Sequence, residues 1–151
     1  MKGSNRANTF LIEIILVIFF FSISVSVALQ FFVTAHKNQQ LSEQKTAALM
    51  LNQTIVEKFN QQGEALFDQD GYRDAKNTTS DDEINLTLYY DSDCNIINGN
   101  YESATYSLEI HITKESAESG IMYSSSFQVF SNDNTSELLH ELNSKKYKPL
   151  S

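Results

Sequence analysis

From Ser4 to Gln62 the chain contains neither glycine nor proline, the two residues that most readily end or kink a helix. That stretch predicts one long helix, and its first half is apolar. Between Phe10 and Ala35 only Glu13 carries a formal charge. About 20 apolar residues suffice to cross a hydrocarbon core of roughly 30 Å, so residues 9–35 are long enough to span a membrane. A helix continued to Gln62 would measure roughly 80 Å at 1.5 Å per residue, and its second half is expected to leave the bilayer. An ionisable group inside such a span asks for a partner or a function unless it lies in the headgroup zone. Glu13, near the N-terminal end of the span, admits both readings.

The run Thr9-Phe10-Leu11-Ile12-Glu13-Ile14-Ile15-Leu16-Val17, preceded by a short leader containing Lys2 and Arg6, resembles the prepilin N-terminal motif of type IV pilins and type II secretion pseudopilins. The likeness covers about the first thirty residues. It implies a structural subunit of a pilus, competence or secretion filament, with other pilin-like subunits, a prepilin peptidase and an assembly platform as partners. It also implies that Phe10, Leu11, Ile12, Ile14, Ile15, Leu16 and Val17 pack in the membrane or filament. Processing would fall at Ala7, Asn8 and Thr9, followed by methylation. Asn8 stands where the family carries glycine. A new amine near Thr9 would be neutralised by Glu13 of a neighbouring subunit, because a paired charge is far cheaper than a lone one in apolar surroundings.

The chain has 151 residues and a net charge of -8. Without Lys2, Arg6 and Glu13, the 11 basic and 19 acidic residues leave nine against eighteen for the part beyond the span, about -9. Such a balance argues against nucleic acid, whose phosphates call for a basic surface. No acid occurs among the first twelve residues, so the positive-inside bias places the N-terminus in the cytoplasm and the acidic domain outside the cell; the prepilin resemblance implies that the membrane is a bacterial cytoplasmic membrane. A secretory signal cut after Ser26-Val27-Ala28 is the rival reading. Glu13 interrupts its core and Phe31, Phe32 and Val33 prolong the apolar run, so the uncut span is adopted. The alternative function is then a membrane-anchored or secreted binding domain with no filament role.

Residues 36–62 are amphipathic: Leu41, Ala48, Ile55 and Phe59 form one stripe, widened by Leu49, Leu51 and Val56, opposite Glu43, Met50, Glu57 and Gln61. Gly63 is the expected stop. Residues 63–83 read as a polar connection, with Asp68, Asp70-Gly71, Asp74, Thr78, Thr79 and Ser80 ahead of the acidic run Asp81-Asp82-Glu83. Leu66, Phe67 and Tyr72 are its anchors.

From Ile84 the period changes to two. Ile84, Leu86, Leu88 and Tyr90 predict one strand, and Tyr106, Leu108, Ile110 and Ile112 a second. Tyr123, Phe127 and Val129 predict the inner face of a third. Residues 91–101 are the expected hairpin loop and Glu115 to Gly120 the next turn. The tail, Ser136 to Leu142, suits either a short helix capped near Thr135 or a fourth strand. The fold class is therefore α+β: a long N-terminal helix packed on a small antiparallel sheet of three to four strands, with residues 1–8 as leader and 84–151 as the β-region and tail.

Catalytic chemistry finds little support. Asp91, Asp93 and Asn95 have the alternate spacing of a calcium loop, but Ile96 stands where the glycine belongs and no glutamate closes the loop. An Asx-rich turn is the preferred reading. Cys94 is the single cysteine and reads as a tolerated thiol. His36, His111 and His140 are scattered and expected to be solvated. Asn52, Asn77, Asn85 and Asn134 match an N-glycosylation pattern that a composition this rich in Asn, Ser and Thr produces by chance. No cofactor, metal or enzymatic role is predicted.

Overall fold

A computed structural model describes residues 4–69, 72, 76–80, 82–99, 101–117, 119–132 and 136–149, without the side chains of residues 4–7, 76–79 and 117. The expected Asp70-Gly71, Asp74, Asp81 and Thr135 features, and Lys2 of the leader, lie outside the described residues. The chain is α+β. One helix, α1 (Ser4–Gln62), runs through Ala35 without interruption, as the absence of glycine and proline dictates. By contacts the chain divides into residues 1–42 and 43–151.

In the first unit, the side chains of residues 8–33 are all exposed. It holds one helix long and apolar enough to cross a membrane.

In the second unit, the C-terminal turns of α1 pack on a five-stranded antiparallel meander in the order β1-β2-β3-β4-β5. The strands are β1 (Lys76–Ser80), β2 (Glu83–Tyr90), β3 (Tyr106–Ala117), β4 (Gly120–Ser131) and β5 (Leu138–Pro149). Each predicted inner face is buried: Ile84, Leu86, Leu88 and Tyr90 on β2, Tyr106, Leu108, Ile110 and Ile112 on β3, and Tyr123, Phe127 and Val129 on β4. The register joins them in rows, such as Leu86↔Ile110↔Phe127.

Helix α1 covers this face with Ala48, Leu51, Asn52, Ile55 and Phe59. Phe59 is the centre of an aromatic cluster, its ring 5.8 Å from Phe67, 6.1 Å from Phe127 and 6.4 Å from Tyr123. Such edge and offset contacts add to the burial of the rings themselves. The covered stripe is narrower than expected. Leu49 is exposed, because one residue of helix turns a side chain about 100° from its neighbour, while Asn52 takes a place in the core. Glu43, Met50, Glu57 and Gln61 are exposed, as the amphipathic pattern requires.

Gly63 ends α1 at φ +65°, the left-handed conformation that glycine adopts without a Cβ penalty. The described residues between 63 and 83 are more structured than a polar connection. A 3-10 turn (Gly63–Asp68) seats Leu66 and Phe67 in the core. Tyr72 is buried beside Phe67. Strand β1 then pairs Lys76 with Leu86 and Thr78 with Ile84. An edge strand of this kind is held by backbone hydrogen bonds to one neighbour and needs no apolar alternation.

Two further boundaries differ from expectation. Glu115 and Ser116 belong to β3 rather than to a turn, since pairing with β4 continues to Ala117↔Gly120. A two-residue hairpin connection fixes the register from the turn outward, so the ladder outlasts the apolar stretch. Gly120 is needed there, because a Cβ would collide with the Lys148 carbonyl oxygen and lie 2.7 Å from the Tyr147 ring. The tail is the strand β5, paired with β4 from Gly120↔Pro149 to Phe130↔Leu138 with one irregularity at Val129/Phe130.

Candidate functional site

The largest unexplained surface is the apolar part of α1. Phe10, Leu11, Ile12, Ile14, Ile15, Leu16 and Val17 are between 43% and 64% exposed, and the pattern continues through Phe31, Phe32 and Val33. Continuous apolar exposure on every side of a helix is not a solvated face. Polar groups in this stretch are handled locally. Ser22 donates its hydroxyl hydrogen to the Ile18 carbonyl at 2.8 Å, and Ser24, Ser26 and Thr34 donate to Phe20, Ser22 and Gln30 at 2.9 Å. Each hydroxyl is thus satisfied by the helix's own backbone, as an apolar medium demands. Glu13 is exposed amid these apolar residues. Asn8 and Thr9 lie in the first described turns of α1, as does the backbone of Ala7, whose side chain is not described.

The Asp91 loop closes on itself. Asp91 Oδ1 accepts the amides of Asp93 at 2.9 Å and Asn95 at 2.8 Å, and Oδ2 accepts Asn95 Nδ2 at 3.2 Å. These bonds, led by the Asn95 amide, hold the Asp91 carboxyl below its ordinary value against a small opposing effect of burial. Both carboxylate oxygens are engaged in an Asx turn. Among the described residues no three His, Cys, Asp or Glu side chains gather where a metal ion could be held.

Cys94, at φ 63°, lines a groove of about 360 Å³ with Met50, Thr54, Lys58, Tyr72 and Tyr90. Burial, then the charges of Asp91 and Asp93, push its thiol pKa up. A nucleophilic cysteine requires the opposite.

Two side-chain clusters carried no sequence signal. Asn52, fully buried, donates Nδ2 to His140 Nδ1 at 2.9 Å and to the Phe127 carbonyl at 3.3 Å. His140 is therefore half-buried and bonded rather than solvated, whereas His36 is exposed and His111, also exposed, pairs with Asn85. Burial also removes Asn52 from consideration as a glycan acceptor. In the second cluster Glu64 accepts Lys114 Nζ on one carboxylate oxygen and the Tyr123 hydroxyl on the other, both at 2.8 Å. Burial alone would raise the Glu64 pKa. The bonds from Lys114 and Tyr123, with the charges of Lys114 and Lys148, outweigh it and hold the group below its ordinary value. Burial, with the Glu64 bond and charge, pushes the Tyr123 phenol up to about 12.

The fold and this surface define an α+β protein with one candidate single membrane span near its N-terminus. No family model, curated protein or solved structure matches the chain.

Proposed function

We propose that this chain is a structural, non-enzymatic subunit of prepilin type, built to assemble into or prime a type IV pilus, competence or type II secretion filament. The single observation that supports the reading most is the exposed, predominantly apolar surface of residues 10–33, in which Glu13 is the one formal charge, ahead of a later part that folds as an acidic β-domain. In the membrane this helix is the anchor. In the filament it exchanges lipid contacts for helix contacts of similar polarity. Glu13 meets the amine of a neighbouring subunit, and the acidic domain faces outward from the bacterial cytoplasmic membrane.

The test is disulfide crosslinking of a Phe20→Cys variant in cell membranes, with Cys94 replaced by serine. Adducts between subunits or with pilin-like proteins are expected. A monomer throughout would reduce the helix to a plain anchor and overturn the reading. Mass spectrometry of the extracted protein reports processing: a chain starting at Asn8 or Thr9 is expected, and one starting at Leu29 would mark a cleaved secretory signal instead.

A further inference from the structure

Strand β5 lies at the edge of the sheet and pairs with β4 alone among the described strands. Twelve residues long, it is more than twice the length of β1 at the other edge. Its pairing with β4 is irregular only at Leu138–His140, and from His140 onward the regular edge presents a row of backbone donors and acceptors on which another strand fits. Its charges are segregated. Glu137 and Glu141 lie at the N-terminal end, and Lys145, Lys146 and Lys148 at the C-terminal end.

We propose that β5 is a self-complementary pairing surface, on which the β5 of a second copy of this chain docks antiparallel about a two-fold axis at Asn143. Antiparallel pairing sets the acidic end of each strand beside the basic end of the other. Parallel pairing would set like against like. The register follows from the pleat. Directly opposed residues must point to the same face, so a two-fold axis normal to the sheet lies between the two copies of a single residue, which oppose each other.

Centred on Asn143, the pairing spans the regular stretch His140 to Lys146, sets Glu141 of each copy opposite Lys145 of the other, and opposes no two lysines. Centring one residue either way, on Leu142 or Ser144, loses the Glu141–Lys145 pair. Glu141, Asn143 and Lys145 are all exposed on the sheet face turned away from α1, so these contacts form without disturbing the core. The interface needs only β5 and does not rest on the membrane reading.

The test uses the full chain in detergent micelles, with Cys94 replaced by serine and Asn143→Cys introduced at the axis. Opposed residues in an antiparallel pair have Cα atoms about 4.5–5.5 Å apart, within disulfide range. Mild oxidation should therefore give a covalent dimer, whereas Glu109→Cys, in the interior of the same sheet face, should give none. Adding Glu141→Lys or Lys145→Glu to the Asn143→Cys chain makes both charge contacts repulsive and should lower the dimer yield about fivefold. Combining the two reversals should restore it, which separates a lost interface from a lost fold. Absence of the Asn143→Cys dimer, or equal yields across the charge variants, would overturn the proposal.

Discussion

Asn52 on α1 and His140 on β5 are 88 residues apart in sequence and joined by a 2.9 Å hydrogen bond across the core of the β-domain. An amide nitrogen only donates, so His140 Nδ1 is the acceptor in this contact. The bond ties the helix to the edge strand. Asn52 Oδ1 accepts no hydrogen bond among the described residues, so the side chain specifies position more than it adds stability. Asn52→Ala should lower stability by about 1–3 kcal/mol, His140→Ala by about 1 kcal/mol or less. The double variant should fall short of the sum by about 0.5 kcal/mol or more, measured by urea unfolding of the full chain in detergent.

Phe59 is 1% exposed and touches Phe67, Tyr123 and Phe127, with Lys146 Nζ 5.9 Å from its ring centre. Three separate segments meet on this ring. Phe59→Ala should cost about 3–5 kcal/mol and lower the unfolding midpoint, whereas the exposed Met50→Ala should change it by about 0.5 kcal/mol or less.

Glu64 links the pH dependence to a named contact. Its pKa is lower folded than unfolded, so its contribution is present above the ordinary value of 4.5 and is lost as pH falls through the folded value. The carboxylate is more than a third exposed, so the ion pair with Lys114 is worth about 1 kcal/mol or less. Glu64→Gln should lower stability at neutral pH by that order and flatten the acid limb below pH 4.5. Thermal unfolding at stepped pH checks both.

Glu13 separates anchoring from assembly. Glu13→Gln keeps the apolar span, so the protein should still resist alkaline extraction from membranes. Loss of the charge pair should reduce crosslinks from Phe20→Cys about tenfold or more. A variant that crosslinks at the parental level would count against the pairing role.

Much of the architecture was readable along the chain. The glycine- and proline-free run foretold α1, Gly63 its end, and the period-two residues of β2, β3 and β4 their inward faces. Leu66, Phe67 and Tyr72 stood out as anchors because they were apolar in polar surroundings. Strand β1 carried no such mark, being built from Lys, Asn, Thr and Ser, and β5 was ambiguous because His140, Ser144 and Lys146 interrupt its inner face. Of the candidate site, the apolar surface and Glu13 were legible. The partners of Asn52 and Glu64 were not.

The amino-acid sequence by itself determined the apolar segment and the faces of the central strands, because transfer from water is a property of each side chain summed over near neighbours in the chain. Only the tertiary structure decided the two edge strands, the tight Ala117–Gly120 hairpin, and the Asn52–His140 and Glu64–Lys114–Tyr123 contacts. Those depend on backbone ladders and on polar groups from distant segments meeting in a shared interior, where geometry selects the partner and local composition leaves no trace.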